Sequence, residues 1–338
     1  MDTLLIKITF ILGLQQIVLD EVSKHPELTV LEKYDDSIYL TTTNLSSVTT
    51  LRSIINAFII ARDKRFHPIY INNHKSILGT IISTVLNHGL FKTFTISCAG
   101  SNSSELTEIK QYIATTFKLT EHTDPDLKIF IGKNKDIWEI GVCITPRPLS
   151  VRDYRVANIT GAINPTIAYA MNSICDISQA HSYLNIFSGS ATLLIEAAQL
   201  NKDLVLIGFD NDGNRTAQAV QNIKRAGLIK KIKLIRADIF DKPDLGRFDR
   251  IVSDLPFGMQ ISKHTNLEKL YHTCIDYSQS ILNPHGIAVF YTTEIQLLEK
   301  LIQQSNFIIT KKIDLQFLTS VNSYLRPSIF VCTLGSID

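Results

Sequence analysis

Three aspartates each close a short apolar run: Asp210 after LVLIGF, Asp238 after KLIRA and Asp254 after RIVS. A fourth run, YLNIF, ends in Ser188-Gly189-Ser190-Ala191-Thr192 instead. Asp254 is followed by Leu255, Pro256 and Phe257. That stretch suits one chemistry well. An exocyclic amine on a nucleobase has its lone pair delocalised into the ring. A carboxylate and a main-chain carbonyl that accept its two N–H groups hold it in line for attack. Proline fixes the backbone there, and an aromatic ring can stack on the base. The plain alternative is a strand leaving its sheet through a turn, for which Asp, Pro and Gly are the usual residues.

The other ends of the runs add weight. Gly189 permits a tight turn and close approach of a ligand to the backbone. Asp210, at the end of the next run, can accept from both hydroxyls of a ribose, although DNDGNR is also good helix-start chemistry. Asp238, with Ala237 and Ile239 beside it, can accept from an adenine amino group; otherwise it is a solvated acid at a strand end. A dinucleotide would need G-x-G-x-x-G to meet its pyrophosphate, and this turn has one glycine. S-adenosylmethionine has no phosphate and needs backbone approach, a ribose acid and an adenine pocket.

The elements that must position these residues alternate. Strands are expected at Tyr183–Phe187, Leu204–Phe209, Ile232–Ala237, Arg250–Ser253 and Gly286–Thr292. Helices are expected at Thr166–Ile174, Ala191–Leu200, Arg215–Ala226, Leu267–Leu282 and Ile295–Gln304. Near-continuous apolar strands imply a parallel sheet covered on both faces, a doubly wound α/β fold with its ligand site at the carboxyl ends of the strands. The N-terminal part reads as α+β: strands at Leu4–Phe10, Ile38–Thr42, Thr93–Cys98, Leu127–Gly132 and Ile137–Ile144, and helices at Gln15–His25, Ser46–Ile60, Lys75–His88 and Glu105–Phe117. ITPRPLSVRDYR, 144–155, is the best linker candidate.

Composition excludes several classes. The 338 residues are 45% hydrophobic and 20% charged, with a net charge of +2, which suits a folded two-domain chain and gives no global nucleic-acid signal. Five cysteines at wide spacing, with no C-x-x-C, fit neither zinc nor a disulfide framework. The histidines show no metal-ligand spacing, so no metal is expected. The first 20 residues lack a basic n-region and a cleavage site and are too interrupted to span a bilayer, so no membrane association and a cytoplasmic location are expected. Basic residues cluster at Lys224, Arg225, Lys230, Lys231, Lys233 and Arg236, and again at Arg62, Lys64 and Arg65. Such runs are usually solvated faces, with phosphate contact the alternative. His264 and Tyr271 follow the Asp254 turn as packing or pocket residues, and the polar loop SCAGSNSSE, 97–105, suits a helix cap.

Taken together, NIFSGSATLLIEAA, GFDNDGNRTAQAVQNIKRAGL, RADIF and SDLPFG resemble the class I methyltransferases that pair with a THUMP domain and methylate N2 of guanine in tRNA, and most of all those acting on an acceptor-stem guanine. The resemblance implies a ferredoxin-like module over 1–62, a THUMP RNA-binding domain over 63–145, a linker over 146–165 and a Rossmann-like methyltransferase domain over 166–338. It implies S-adenosylmethionine as cofactor, held by Asn164, Pro165, Asn185, Phe187, Ser188, Gly189, Ser190, Ala191, Thr192, Asp210, Asn211, Asp238 and Ile239. Catalysis then falls on Asp254, Leu255, Pro256 and Phe257. Arg152, Tyr154 and Arg155 match the family's linker pattern, and with Lys224 and Arg225 they are the expected RNA contacts. The expected partner is tRNA, not DNA, met by a monomer. Four departures stand out. Asn185 stands where the family usually has Asp, Ala191 where its turn has a second glycine, Asp153 where its linker usually has glycine, and Leu255 where amine methyltransferases commonly have proline. The alternatives are an adenine-N6 methyltransferase and a non-catalytic RNA-binding protein that keeps the fold.

Overall fold

The structure, a computed structural model, describes residues 3–67, 71–98, 103–134, 136–157, 159–257, 267–320 and 323–335. Gly258, His264 and residues 99–102 of the polar loop lie outside them. The chain forms two compact units: residues 1–10 with 18–150, and residues 11–17 with 151–338.

The first unit contains β1 (Leu4–Thr9), α1 (Gln15–Val22, begun in the segment that packs with the second unit), β2 (Thr29–Lys33), β3 (Ser37–Thr42), α2 (Leu45–Thr49), β4 (Asn56–Asp63), α3 (Ile71–Leu86), β5 (Thr93–Cys98), α4 (Ser104–Phe117), β6 (Thr120–Glu121), β7 (Leu127–Asn134) and β8 (Ile137–Cys143). Its strands make one sheet in the order β2-β3-β1-β4-β8-β7-β5-β6. The helix expected over Ser46–Ile60 is wrong in its second half. The chain leaves α2 after one turn and becomes β4, which pairs with β1 on one side and β8 on the other. Leu51, Ile54, Ile55, Phe58 and Ile59 have helical spacing, but the first three lie in the irregular stretch between α2 and β4 and only Phe58 and Ile59 lie in the strand. β2 escaped the sequence reading altogether. Arg62 is committed within this unit: its Nε lies 3.2 Å from the buried Glu139 carboxylate, which also accepts from Tyr39 Oη at 2.8 Å and Lys7 Nζ at 3.1 Å. Arg65 is paired with Asp63 at 2.6 Å.

The second unit runs α5 (Pro165–Ile174), β9 (Ser182–Ile186), α6 (Thr192–Leu200), β10 (Val205–Asp210), α7 (Gly213–Arg225), β11 (Ile232–Arg236), β12 (Phe248–Asp254), α8 (Leu267–Ile281), β13 (Leu282–Thr292), α9 (Ile295–Gln303), β14 (Phe307–Asp314), β15 (Phe317–Ser320), β16 (Ser323–Leu325) and β17 (Ser328–Leu334). The large sheet has the order β11-β10-β9-β12-β13-β17-β14. Strands β9 to β13 are parallel, as the apolar runs require, and β17 is antiparallel to both neighbours. The C-terminal pair β14 and β17 was not anticipated. Leu184, Ile186, Phe209, Ile251, Phe290 and Phe330 on the strands pack against Tyr271, Cys274, Ile275, Leu298 and Ile302 of α8 and α9. The cysteines are all free, and burial pushes the thiols of Cys175, Cys274 and Cys332 up to about 12.

Local chemistry sets the helix starts. Asn164 Oδ1 accepts from Thr166 N at 2.8 Å, and Pro165 occupies the first turn of α5, where a missing N–H costs nothing. Asp212 caps α7 by accepting from Asn214 N at 2.8 Å. The segment Ile11–Ile17 belongs with this unit through an antiparallel bridge between Leu12 and Gln316, and Gly13 (φ +99°) lies so close to the Asp314 carbonyl that no β-carbon would fit.

Candidate active site

The chain leaves β9 toward β10 on one side of the sheet and returns to β12 on the other. Doubly wound sheets open a crevice at such a reversal. Here a cavity lies there, lined by 159–163, Asn185, Phe187–Ser190, Thr192, Leu193, Arg215, Asp254 and Pro256.

Its floor is the turn after β9. Phe187 (φ +58°), Gly189 (φ +47°) and Ala191 (φ +60°) all take the left-handed conformation within five residues. For Phe and Ala this costs about 1–2 kcal/mol each, and backbone strain of this kind is found where a site demands it. Several bonds hold the turn. Ser188 N donates to Phe209 O at 2.9 Å, Ala191 N to Ser188 O at 2.7 Å and Gly189 N to Asp210 Oδ2 at 2.9 Å. Asn222, fully buried on α7, accepts from Ala157 N at 2.9 Å and donates to Ser190 O at 3.2 Å, which ties the segment before α5 to the turn. A β-carbon on Gly189 would meet nothing nearer than the Phe187 carbonyl, 3.8 Å away, so glycine leaves open space above the turn.

Two walls carry unsatisfied acceptors. Asn185 is 1% exposed; its Nδ2 donates to Val252 O at 2.9 Å and Ile186 O at 3.1 Å, and its Oδ1 is buried with no partner. The two carbonyls fix which way the amide faces. Asp254 stands one step beyond the Ser253–Ile186 pair of the β12–β9 ladder, and its Oδ1 is likewise buried without a partner. Burial pushes the Asp254 carboxyl up to about 8, against the opposing pull of the Arg215 guanidinium. A buried acceptor left unpaired costs about 1–3 kcal/mol, so two on one cavity mark a place for a ligand's donors.

The turn after Asp254 is held from behind. Leu255 is 1% exposed and its N–H donates to Tyr291 O at 3.0 Å. The Tyr271 hydroxyl donates to Pro256 O at 3.0 Å and meets Thr292 Oγ1 at 2.7 Å. Phe257 packs edge-on against Tyr291, ring centroids 6.2 Å apart.

The remaining candidates separate. Asp210 carries the turn, accepting from Gly189 N and from Asp212 N at 3.0 Å. Asp238 lies on the next strand end, accepting from Asn211 Nδ2 at 3.3 Å and Phe240 N at 3.0 Å; Ile239 beside it is buried. None of these four lines the cavity, and neither do Asn164 and Pro165, whose chemistry goes into starting α5. The segment just before them, 159–163, forms the wall instead.

Two of the expected RNA contacts have partners inside the unit. Arg152 Nε lies 3.2 Å from Glu196 Oε1, and the Tyr154 hydroxyl donates to the same atom at 2.7 Å. Glu196 is fully buried on α6, so its charge must be compensated inside the unit, and the two side chains are spent on it. Arg155 beside them is half-buried, its Nε without a hydrogen-bond partner. Lys224 and Arg225 are exposed in the last turn of α7, where cations favour the helix dipole. They lie about 16–18 Å along the helix from its start beside the cavity. Arg215 is the residue that sequence reasoning missed.

Residues 152–319 match the profile of the RMKL-like methyltransferase domain family. The second unit is a methyltransferase domain of that family. Over 172 residues, 51% of the chain, it is 30% identical to the mouse (Mus musculus) U6 snRNA (guanine-N(2))-methyltransferase THUMPD2, of which it covers 31%. Over 178 residues it is 29% identical to the tRNA (guanine(6)-N2)-methyltransferase of Thermus thermophilus, 52% of either chain. The chain thus spans from a third to about half of the length of these curated relatives. The crystal structure of TrmN from Thermus thermophilus superposes with a TM-score of 0.81 over 98% of this chain and 100% of that one, at 19% identity. SMU.472, solved in complex with SAH, gives 0.74 over the whole of both chains, at 16% identity. Both share the fold. Among the described residues no helix is long and apolar enough to cross a membrane.

Proposed function

We propose that this protein transfers a methyl group from S-adenosylmethionine to the exocyclic N2 amine of a guanine in tRNA, in the acceptor stem. The observation that carries the reading is the pair of buried, unpartnered acceptors, Asn185 Oδ1 and Asp254 Oδ1, on adjacent strands facing one cavity. The names of the relatives, guanine-N2 methyltransferases of tRNA and of U6 snRNA, point the same way.

The residues present fit the cofactor. The open space above Gly189 and the strained turn Phe187–Thr192 would take its amino-acid part, with Asn185 Oδ1 as acceptor. Asp210 would take the ribose hydroxyls, and Asp238, Asn211 and Ile239 the adenine edge and face. S-adenosylmethionine supplies an electrophilic methyl group when bound. The chain does the rest. Asp254 Oδ1 and the Leu255 carbonyl accept from the two N–H groups of the amine and localise its lone pair. Pro256, anchored by the Tyr271 hydroxyl, keeps that carbonyl in place, and Phe257 stacks on the base. The amine becomes acidic as its new N–C bond forms, and Asp254 takes the proton it sheds. In this reading residues 1–62 are the ferredoxin-like module and 63–145 the THUMP domain that receives the tRNA.

The test is one assay: unmodified tRNA, S-adenosylmethionine with a deuterated methyl, digestion to nucleosides, mass spectrometry. Label in N2-methylguanosine is expected. Label in N6-methyladenosine would move the acceptor to adenine. No label across several tRNAs, with folded protein, would overturn the reading in favour of a non-catalytic RNA-binding protein.

A further inference from the structure

Arg215 enters the cavity from the first turn of α7, across from the end of β12. Among the described residues lining the cavity it is the one cation, and Asp254 is the one acid. Its side chain is about a third exposed and loosely tied, with Nε 3.6 Å from Oδ2 of its own helix cap, Asp212. Nothing in helix-start chemistry requires an arginine here: Asp212 already caps α7 by accepting from main-chain N–H groups. The long side chain instead reaches the cavity on which a buried carboxylate has an oxygen with no partner.

We propose that Arg215 is a positioning residue for the reaction proposed above: its charge opposes burial at Asp254 and so raises the share of molecules in which the carboxylate is ionised and can accept from the amine. The surroundings of Asp254 are otherwise without positive charge among the described residues. From β13 it is faced by the Tyr291 phenol and from α8 by the Tyr271 phenol, with Glu294 near the latter. Both phenols are neutral at working pH: burial raises them first, and Asp254 raises them further. Neither can supply positive charge. Among the described residues Arg215 is the cationic group acting on Asp254, opposing burial. An uncompensated buried carboxylate takes up a proton, and a protonated Asp254 offers a hydroxyl where an acceptor is needed.

Removing the guanidinium moves the midpoint of Asp254 further up, so that fewer molecules are ionised below it. The experiment titrates Asp254 itself. Carboxyl-13C aspartate is introduced into the full chain, and the Asp254 resonance is assigned by its loss in Asp254→Asn. Its midpoint is read in wild type, Arg215→Gln and Arg215→Lys without RNA or cofactor. Expected is a higher midpoint in Arg215→Gln than in wild type and a midpoint close to wild type in Arg215→Lys. The same midpoint in Arg215→Gln as in wild type would overturn the inference. Methyl transfer is followed in parallel. The acid limb of kcat should move by the amount the titration moves. A raised KM for tRNA with neither limb nor midpoint moved would make Arg215 a phosphate contact, which also overturns it. A shifted titration with no methyl transfer by any form, wild type included, leaves the charge coupling standing and removes the reading of the reaction.

Discussion

Asp254 carries a conflict at the level of the single residue. Its carboxyl, pushed up to about 8, binds a proton in the folded chain that it does not bind once unfolded, where its value is near 3.8. Stability contributed by this group therefore falls as pH rises from about 4 to about 8, the opposite of the usual buried carboxylate partnered by a cation. Asp254→Asn should leave the protein more stable than wild type at pH 8 and by less at pH 5, which thermal unfolding at the two values checks. The same substitution, like Asp254→Ala, should abolish most turnover while calorimetry still finds S-adenosylmethionine bound; turnover left intact would remove Asp254 from the chemistry. The acid was legible in the sequence because an aspartate followed by an apolar residue, proline and an aromatic is an unusual way to leave a strand. Arg215 was not, because an arginine in the first turn of a helix looks solvated until the fold shows which strand end it faces. Arg152 and Tyr154 show the converse. Their types suit RNA, and only the structure reveals Glu196 buried beside them.

The turn after β9 is the element on which the site depends. Ala191 sits in left-handed backbone with its side chain fully buried. Glycine there would release about 1–2 kcal/mol of strain but would lose a buried methyl worth about 0.8 kcal/mol and add about 0.4–1 kcal/mol of unfolded-chain entropy. These nearly cancel, so Ala191→Gly should be within about 0.5 kcal/mol of wild type in urea titrations. Ala191→Val adds a β-branched side chain to the same backbone and should cost roughly 2 kcal/mol or more. Asn222→Leu would strand the Ala157 N–H and the Ser190 carbonyl and should cost about 2–4 kcal/mol, with weaker cofactor binding because the turn loses its brace. The strand–helix alternation from α5 to α9 was readable because each apolar run has the length and Gly, Asp or Asn boundaries of a buried parallel strand. β4 was not, because Phe58 and Ile59 continue a helical spacing begun by Leu51, Ile54 and Ile55 in the stretch before the strand. The β14–β17 pair lay beyond the last motif, where KKID and SIFVCTL carry no chemistry to draw the eye.

On the scale of the whole molecule, the chain enters the second unit twice. Residues 11–17 join it long before residue 151 does, and their pairing with Gln316 and their fit against Asp314 depend on residues about 300 positions away. No local pattern announces that, so the sequence reading drew its boundaries as single cuts. A fragment 151–338 should therefore unfold at a lower temperature than the second unit does in the full chain, and a peptide spanning residues 10–18 added to it should recover part of the loss. Equal melting temperatures would show the early segment to be dispensable.

That early segment also sets an order in time. At about 5–20 residues per second, some 15–60 s of synthesis separate Gly13 from Asp314. Every strand of the first sheet, through Cys143, has left the ribosome well before then. The sheet can close while Ile11–Ile17, largely apolar, still waits for its partner strands. Nascent chains arrested near residue 200 should be cut in this stretch by a protease that spares it in the finished protein. The molecule thus places one of its earliest stretches among the last, when the end of β14 and Gln316 arrive to claim a segment made at the start.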